Sequence, residues 1–233
     1  SGLAVDRKGD DSPVTEADRA GEALIVAELA RLFPDVPVVA EEQSAATGLP
    51  ESIGPTFFLV DPLDGTKAFV RGDPSWTVNI ALVRDGRPVA GAVAAPVTGE
   101  LWHTQGAGAV KREADGLARP IHVRPWPAGG ALALLSHTMK PPVAQALAET
   151  YGFSAFQPLD SSLKLCRLAE GAADIYPRQG PTMEWDIAAG HAVLAAAGGS
   201  LLTPEGGPFL YGKADAGFRN GWFVARGGKP PVT

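Results

Sequence analysis

The chain has 233 residues, of which 45% are hydrophobic and 20% are charged, and its formal net charge is −6. This acidic balance argues against a nucleic-acid polymer as partner, because domains that bind nucleic acid usually carry a basic patch. No apolar run approaches the roughly 18 residues of a membrane span, and the single cysteine, Cys166, excludes an internal disulfide and favours a reducing, cytoplasmic location.

The first half of the chain predicts a helix followed by several strands. Residues 1–14 are polar and rich in Gly and Asp, which indicates coil. In "TEADRAGEALIVAELARLFP", Thr15 and Asp18 have the form of a capping box, and Pro34 ends the helix. The predicted strands are "VPVVAEE", "TFFLV", "TVNIALV", "PVAGAVAAP" and "LWHT". In "TVNIALV" the apolar face, which we expect to pack on helices, carries Val78, Ile80 and Leu82.

The second half alternates between strands and helices, which predicts an α/β lobe. The predicted strands are "ALALLS", "ADIYP" and "GSLLT", and the predicted helices are "PVAQALAETYG", "SSLKLCRLAEG" and "DIAAGHAVLAAAGG". A boundary within residues 119–130 would divide the chain into an α+β lobe over residues 1–120 and an α/β lobe over residues 121–233.

Acidic side chains stand at the ends of several predicted elements. Each has an ordinary interpretation: Glu41 as a solvated strand end, Asp61 and Asp64 as turn formers, and Asp186 as a helix N-cap. If they converge, two carboxylates ~4 Å apart repel by about 4 kcal/mol at an effective dielectric constant near 20. A Mg²⁺ ion would remove that cost, since it prefers oxygen ligands and often retains phosphate and water in its shell.

The loop around these aspartates suits such an ion. Leu63 can offer its carbonyl oxygen, Gly65 lets the backbone turn sharply, and Thr66 places a hydroxyl where it could orient an attacking water.

"DPLDGTKAF", with "AEE" upstream and "EWDIAAGHAVLAAAGG" downstream, resembles the magnesium-dependent, lithium-sensitive phosphatases of the inositol monophosphatase superfamily. Within that superfamily, "SPVTEAD", Lys67, "TVNIAL", "SSLKLC" and "YPRQGPTMEWD" are similar to the 3'(2'),5'-bisphosphate nucleotidases of the CysQ type. The resemblance covers residues 5–226. It implies a layered αβαβα sandwich like that of inositol monophosphatase and fructose bisphosphatase, with two lobes and the metal site between them.

The resemblance also implies roles for individual residues. Two or three Mg²⁺ ions would be held by Glu41, Asp61, the carbonyl of Leu63, Asp64 and Asp186. Asp18 and Thr66 would position and deprotonate the water, although Asp18 could equally serve only as the helix cap. The implied substrate contacts are Gly65, Thr66, Lys67, Ser136, His137, Ser161, Lys164, Arg178 and Asp186. For Lys164 and Arg178 the alternative is surface ion pairing, and for His137 it is a capped or solvated ring.

The implied reaction removes the 3'-phosphate of adenosine 3',5'-bisphosphate to give AMP, which would clear a by-product of sulfate assimilation. The partner would be a small phosphorylated molecule, and the enzyme would be a monomer or a homodimer. The resemblance further implies a helical segment ahead of Ser1. Ala68 and the segment "RGDPSW" at 71–76 depart from the family pattern and leave the substrate preference open.

Other functions stay open at this point. A haloacid dehalogenase-type phosphatase would use an aspartyl nucleophile, but the two aspartates of its loop lie two positions apart, whereas Asp61 and Asp64 lie three apart. An inositol phosphate or a sugar bisphosphate could be the substrate of the same chemistry. A non-catalytic module that binds a metal or a nucleotide is the third alternative.

Overall fold

The computed structural model describes residues 5–7 and 13–229. The helices are α1 (Glu16–Leu32), α2 (Glu41–Thr47), α3 (Thr66–Val70), α4 (Pro141–Tyr151), α5 (Leu163–Ala169) and α6 (Glu184–Ala196), with a short 3-10 helix at Ala214–Ala216. The strands of the first half are β1 (Val5–Arg7), β2 (Pro13–Thr15), β3 (Val38–Ala40), β4 (Thr56–Asp64), β5 (Thr77–Arg84), β6 (Arg87–Ala95), β7 (Glu100–Gln105), β8 (Gly108–Arg112) and β9 (Ala118–Ile121). Those of the second half are β10 (Ala131–Leu135), β11 (Phe153–Pro158), β12 (Ile175–Arg178), β13 (Ser200–Leu202) and β14 (Phe223–Arg226).

Two mixed sheets form the framework. The seven-stranded sheet has the order β3-β4-β5-β6-β7-β8-β9, in which only β3 and β4 pair in parallel and the other strands form an antiparallel meander. The five-stranded sheet has the order β11-β10-β12-β14-β13, with parallel pairing of β10 to both β11 and β12. Strands β1 and β2 form a separate antiparallel pair.

Helices cover both faces of these sheets. Helix α1 lies over β3 and β4, and Phe33, directly after it, packs on Phe58 with ring centroids 5.3 Å apart. On the opposite face of β4, Phe57 and Leu59 join the core that contains α5 and α6. Helix α6 also contacts β13, α5 contacts β12, and α4 lies against β11. The layers therefore follow the order αβαβα, as predicted.

Strand β5 differs from the prediction in which of its faces joins the central layer. Ala81 and Val83 belong to the core between the sheets, and the buried Thr77 and Asn79 share their face. The more apolar Val78, Ile80 and Leu82 are half-buried on the other face. Because helices cover both faces of the sheet, apolar alternation alone does not identify the inner face.

Other expectations need correction. Coil was wrong for residues 5–7, which form β1, and for residues 13–14, which form β2 together with Thr15, while residues 1–4 and 8–12 lie outside the described part. The strand "VPVVAEE" ends at Ala40, and Glu41 and Glu42 begin α2 instead. Strands β8, β9, β11 and β14 were not predicted.

The two sheets divide between Ile121 and Ala131, but one core cluster draws residues from both halves. The division into lobes over residues 1–120 and 121–233 stays a prediction. Among the described residues, no helix combines the length and the hydropathy needed to cross a bilayer.

Candidate active site

Carboxylates from distant parts of the chain converge at one edge of the seven-stranded sheet. The parallel register pairs Ala40 of β3 with Val60 of β4, so that the next residues, Glu41 and Asp61, follow at the same edge. Asp186 arrives from the first turn of α6. One carboxylate oxygen from each of Glu41, Asp61 and Asp186 lies within 4.8 Å of the other two.

The electrostatics of this acidic cluster favour a bound cation. Burial, followed by repulsion from Glu41 and from the neighbouring aspartates, raises the pKa of Asp61 well above its ordinary value. The pKa of Asp186 is raised in the same way, by burial first and then by Asp64 and Glu41. Hard oxygen ligands at this spacing suit Mg²⁺. The cluster could therefore hold a metal ion, which would compensate the charges that burial makes costly.

Asp64 lies beside this cluster but faces the second half of the chain. Its Oδ2 accepts a 2.6 Å hydrogen bond from the backbone N–H of Ser162 and weaker ones from Thr77 and Asn79, at 3.4 and 3.5 Å. Burial raises the pKa of Asp64, and the nearby charge of Lys164 opposes that shift. Asp64 therefore meets Ser162, but it is not part of the group formed by the other three carboxylates.

The loop between Asp61 and Thr66 has the backbone geometry that the sequence predicts. Leu63 donates its N–H to Asp61 Oδ1 at 2.9 Å, and its carbonyl lies 3.3 Å from the Thr66 hydroxyl. Gly65 has φ +95°, and a Cβ there would lie 3.2 Å from the Ser75 carbonyl oxygen. A side chain at this position would therefore strain the turn.

Asp18 serves as a helix cap and also reaches Thr66. Thr15 donates its N–H and its hydroxyl to Asp18 Oδ2, at 2.8 and 2.6 Å. The other oxygen, Oδ1, lies 3.4 Å from Thr66 Oγ1. The predicted cap is confirmed, and it orients the buried carboxylate so that its second oxygen faces the loop hydroxyl.

A pocket of about 750 Å³ opens beside the acidic cluster. The predicted site residues that line it are Glu41, Asp64, Gly65, Thr66, Lys67, Ser136, His137, Ser161, Lys164, Arg178 and Asp186. Asp18, Asp61 and Leu63 are not among its lining residues. The predicted substrate residues thus come together around one cavity, although they come from distant segments of the chain.

The two cations predicted for the substrate are held by backbone carbonyls. Lys164 Nζ, which is buried, donates to the carbonyls of Leu159 and Ser161 at 3.0 Å each, and burial lowers its pKa to about 8. Arg178 donates to the carbonyls of Gly180 and Pro181 at 3.3 and 3.1 Å. Within residues 13–229, neither forms an ion pair with a carboxylate, so the alternative of surface ion pairing was wrong.

The other predicted polar residues differ in their surroundings. His137 Nδ1 lies 3.1 Å from Asp160 Oδ2, and Ser136 Oγ lies 3.1 Å from the Thr138 hydroxyl. Lys67 is exposed and, among the residues that the structure describes, makes no ion pair.

Several residues of the site were not predicted from the sequence. Tyr176 lines the pocket with its ring 5.0 Å from Lys164 Nζ, and burial raises the pKa of its hydroxyl. Ser162 donates its hydroxyl to the backbone carbonyl of Asp186, and Asn79 donates to the same oxygen at 3.4 Å. The signal in the sequence that could have indicated Asn79 is a polar residue within the apolar run of "TVNIALV", because Asn is seldom buried without a specific partner.

Comparison with known proteins agrees with this geometry. A model of the inositol monophosphatase family matches residues 2–225, and the chain belongs to that family. It is 41% identical over 200 residues to the 3'(2'),5'-bisphosphate nucleotidase CysQ of Salmonella typhimurium, covering 86% of this chain and 80% of the relative.

The corresponding CysQ of Escherichia coli is 39% identical over 218 residues, covering 94% of this chain and 87% of the relative. The crystal structure of CysQ from Bacteroides thetaiotaomicron superposes with a TM-score of 0.77 at 34% identity, covering 95% of this chain and 87% of that one. The resemblance inferred from the sequence motifs is thereby confirmed.

Proposed function

We propose that this protein is a magnesium-dependent phosphatase that hydrolyses adenosine 3',5'-bisphosphate to AMP and phosphate. The observation that carries the proposal is the acidic cluster of Glu41, Asp61 and Asp186. It lies beside a pocket that is also lined by two cationic side chains, the buried Lys164 and the half-buried Arg178. Relatives named 3'(2'),5'-bisphosphate nucleotidases match over most of the chain and support the choice of substrate. A cytoplasmic location and a role in sulfur metabolism belong to the same proposal.

The acidic side chains would hold the metal. Glu41, Asp61 and Asp186 supply the converging oxygens, and the carbonyl of Leu63 and the carboxylate of Asp64 lie at the end of β4. When bound, Mg²⁺ would neutralise phosphate charge and lower the pKa of a coordinated water.

Asp18 and Thr66 would handle the proton of the attacking water. The hydroxyl of Thr66 lies 3.3 Å from the Leu63 carbonyl oxygen and 3.4 Å from Asp18 Oδ1. It can therefore donate a hydrogen bond to the Asp18 carboxylate. Because Thr15 binds the other oxygen of Asp18, the carboxylate is held in one orientation. An oriented acceptor of this kind is what general base catalysis requires.

Lys164, Arg178 and Lys67 would balance the substrate charge that the metal does not reach. Lys164 and Arg178 are directed by backbone carbonyls, so binding a phosphate does not require breaking an ion pair. Preorganised donors around an anion stabilise it more than mobile ones. We therefore assign the non-reacting phosphate to this side of the pocket, together with Ser136, His137 and Ser161.

The test is hydrolysis of adenosine 3',5'-bisphosphate, inositol 1-phosphate and fructose 1,6-bisphosphate side by side, over a range of Mg²⁺ concentrations. We expect the highest kcat/KM for the bisphosphate nucleotide and no turnover with a chelator. A higher kcat/KM for either other substrate would contradict the nucleotide assignment. Nucleotide binding without phosphate release at any Mg²⁺ concentration would instead indicate a non-catalytic module.

A further inference from the structure

On the rim of the pocket, Asp160 lies between two nitrogen donors. Arg71 Nη2 is 3.5 Å and His137 Nδ1 is 3.1 Å from the same oxygen, Asp160 Oδ2. Arg71 follows α3 in the first half, whereas His137 and Asp160 follow the neighbouring strands β10 and β11. One carboxylate oxygen thus connects the two sides of the pocket mouth.

The contacts of Arg71 and His137 with Asp160 can be replaced by contacts with another anion. The side chains of Arg71 and His137 are 54% and 42% exposed, and that of Asp160 is 22% exposed. Among the described residues, neither Arg71 nor His137 has another ion-pair partner. The nearby Asp73 is bound instead by the N–H and hydroxyl of Ser75, at 2.8 and 2.6 Å. An exposed pair of this kind contributes little stability, so a stronger anion can replace the carboxylate.

We infer that Asp160 is a specificity-determining residue, whose carboxylate competes with the second phosphate of the substrate for Arg71 and His137. The inference rests on the proposed function and deepens it, since it names the residues that meet the non-reacting phosphate at the rim. A planar guanidinium can donate two parallel hydrogen bonds to two oxygens of either a carboxylate or a phosphate, and phosphate offers more acceptor oxygens and more charge. A substrate with only the reacting phosphate does not enter this exchange.

The competition acts on the product as well. AMP retains the phosphate that did not react, so return of Arg71 and His137 to Asp160 favours its release. Asp160 therefore weakens the binding of both bisphosphate and AMP, and it does so at the rim, away from the acidic cluster.

The test compares adenosine 3',5'-bisphosphate with adenosine 3'-monophosphate, which carries the reacting phosphate alone. For Asp160→Asn we expect KM for the bisphosphate to fall about two- to fivefold, with kcat and the KM for the monophosphate unchanged. The inhibition constant of AMP falls by a similar factor. An increase in KM for the bisphosphate, or equal changes for both substrates, would overturn the inference.

Two further variants separate contact from general charge. In Arg71→Gln, we expect the added Asp160→Asn change to have a smaller effect on KM for the bisphosphate than in the wild type. Asp73→Asn removes the same charge from the same pocket and should leave the ratio of the two KM values close to that of the wild type. If Asp73→Asn lowers the ratio as much as Asp160→Asn does, the contact with Arg71 and His137 is not the cause.

The outcomes also distinguish this inference from the proposed function. A wild-type enzyme that prefers inositol 1-phosphate would overturn both. A wild-type enzyme that prefers the bisphosphate, combined with an unchanged KM ratio in Asp160→Asn, would overturn the role of Asp160 alone.

Discussion

The backbone N–H of Ser162 donates a 2.6 Å hydrogen bond to the carboxylate of Asp64, and the Ser162 hydroxyl donates to the backbone carbonyl of Asp186. A single buried residue at the start of α5 therefore contacts the end of β4 and the first turn of α6. Its two donors fix the relative position of two segments that we assign to metal binding.

We predict that Ser162→Ala will weaken the binding of Mg²⁺ more than the binding of substrate. The change removes the hydroxyl from the Asp186 carbonyl but leaves the backbone N–H on Asp64. The concentration of Mg²⁺ for half-maximal activity should rise about tenfold, as for other groups that orient metal ligands. Ser161→Ala is the matched control and should alter KM for the nucleotide instead. An unchanged Mg²⁺ titration in Ser162→Ala would contradict the prediction.

Neutralising Asp61 should separate stability from activity. In Asp61→Asn, the bond from the Leu63 N–H can persist while one buried negative charge disappears. We expect turnover to fall by at least about 100-fold, whereas the metal-free variant should melt at a higher temperature than metal-free wild type because repulsion among the carboxylates is reduced. Thermal melts with and without Mg²⁺ measure this.

The control for Asp61→Asn is Asp115→Asn, which neutralises an exposed carboxylate in the turn between β8 and β9. It should keep the turnover and the Mg²⁺-dependent shift of melting temperature. A variant at Asp61 that still shows the full Mg²⁺ shift would remove this residue from the metal site.

The metal-free protein should lose stability as pH rises. The folded-state pKa values of Asp61 and Asp186 are raised, so the folded chain binds more protons than the unfolded chain above the ordinary carboxyl pKa. The free energy of unfolding therefore falls as pH rises through that window towards the folded values.

Urea unfolding at about pH 5 and about pH 8 measures this dependence, and Mg²⁺ should restore stability mainly at the higher pH because its ligands must be deprotonated. The decrease should be smaller in Asp61→Asn than in wild type. Equal pH dependence in the two proteins would show that Asp61 has no raised pKa.

Asp18 can be tested apart from its role as a cap. Asp18→Asn should lower kcat about 100-fold or more, the scale of general base catalysis, with little change in the Mg²⁺ titration. Thr15→Ala removes the hydroxyl that donates to Asp18 in the same cap. It should cost about 1 kcal/mol of unfolding free energy while retaining most of kcat. Comparable losses of kcat in both variants would assign Asp18 a structural role only.

The sequence predicted the elements with strong local signals. The capping box at Thr15 and the apolar run before Asp61 indicated α1 and β4, and both exist. The turn at Asp85 and Gly86 also forms, with φ of 51° and 71°. Strand β11 was missed because it pairs with β10 across the intervening helix α4, so its partner is distant in the chain. Strand β8 was missed although it forms a hairpin with the strand directly before it, β7.

The site could be predicted as a set of residues but not as an arrangement. Local patterns identify Asp64 as an acidic loop residue, yet its hydrogen bond to Ser162 depends on how α5 packs against the sheet. Likewise, nothing near Asp160 in the sequence indicates that Arg71 and His137 meet it. Contacts of this kind arise from tertiary packing, which single-sequence patterns do not encode.

Helix α6 begins at the acidic cluster and has a buried, largely apolar body that contacts both sheets. Gly190 of this helix illustrates how closely it packs, since a Cβ there would lie 2.7 Å from Leu165. Displacing Asp186 would therefore disturb the packing between the layers, whereas Arg71 and Asp160 lie on partly exposed loops. Substrate choice in this protein can consequently diverge through changes at the rim while the chemistry of the interior stays intact.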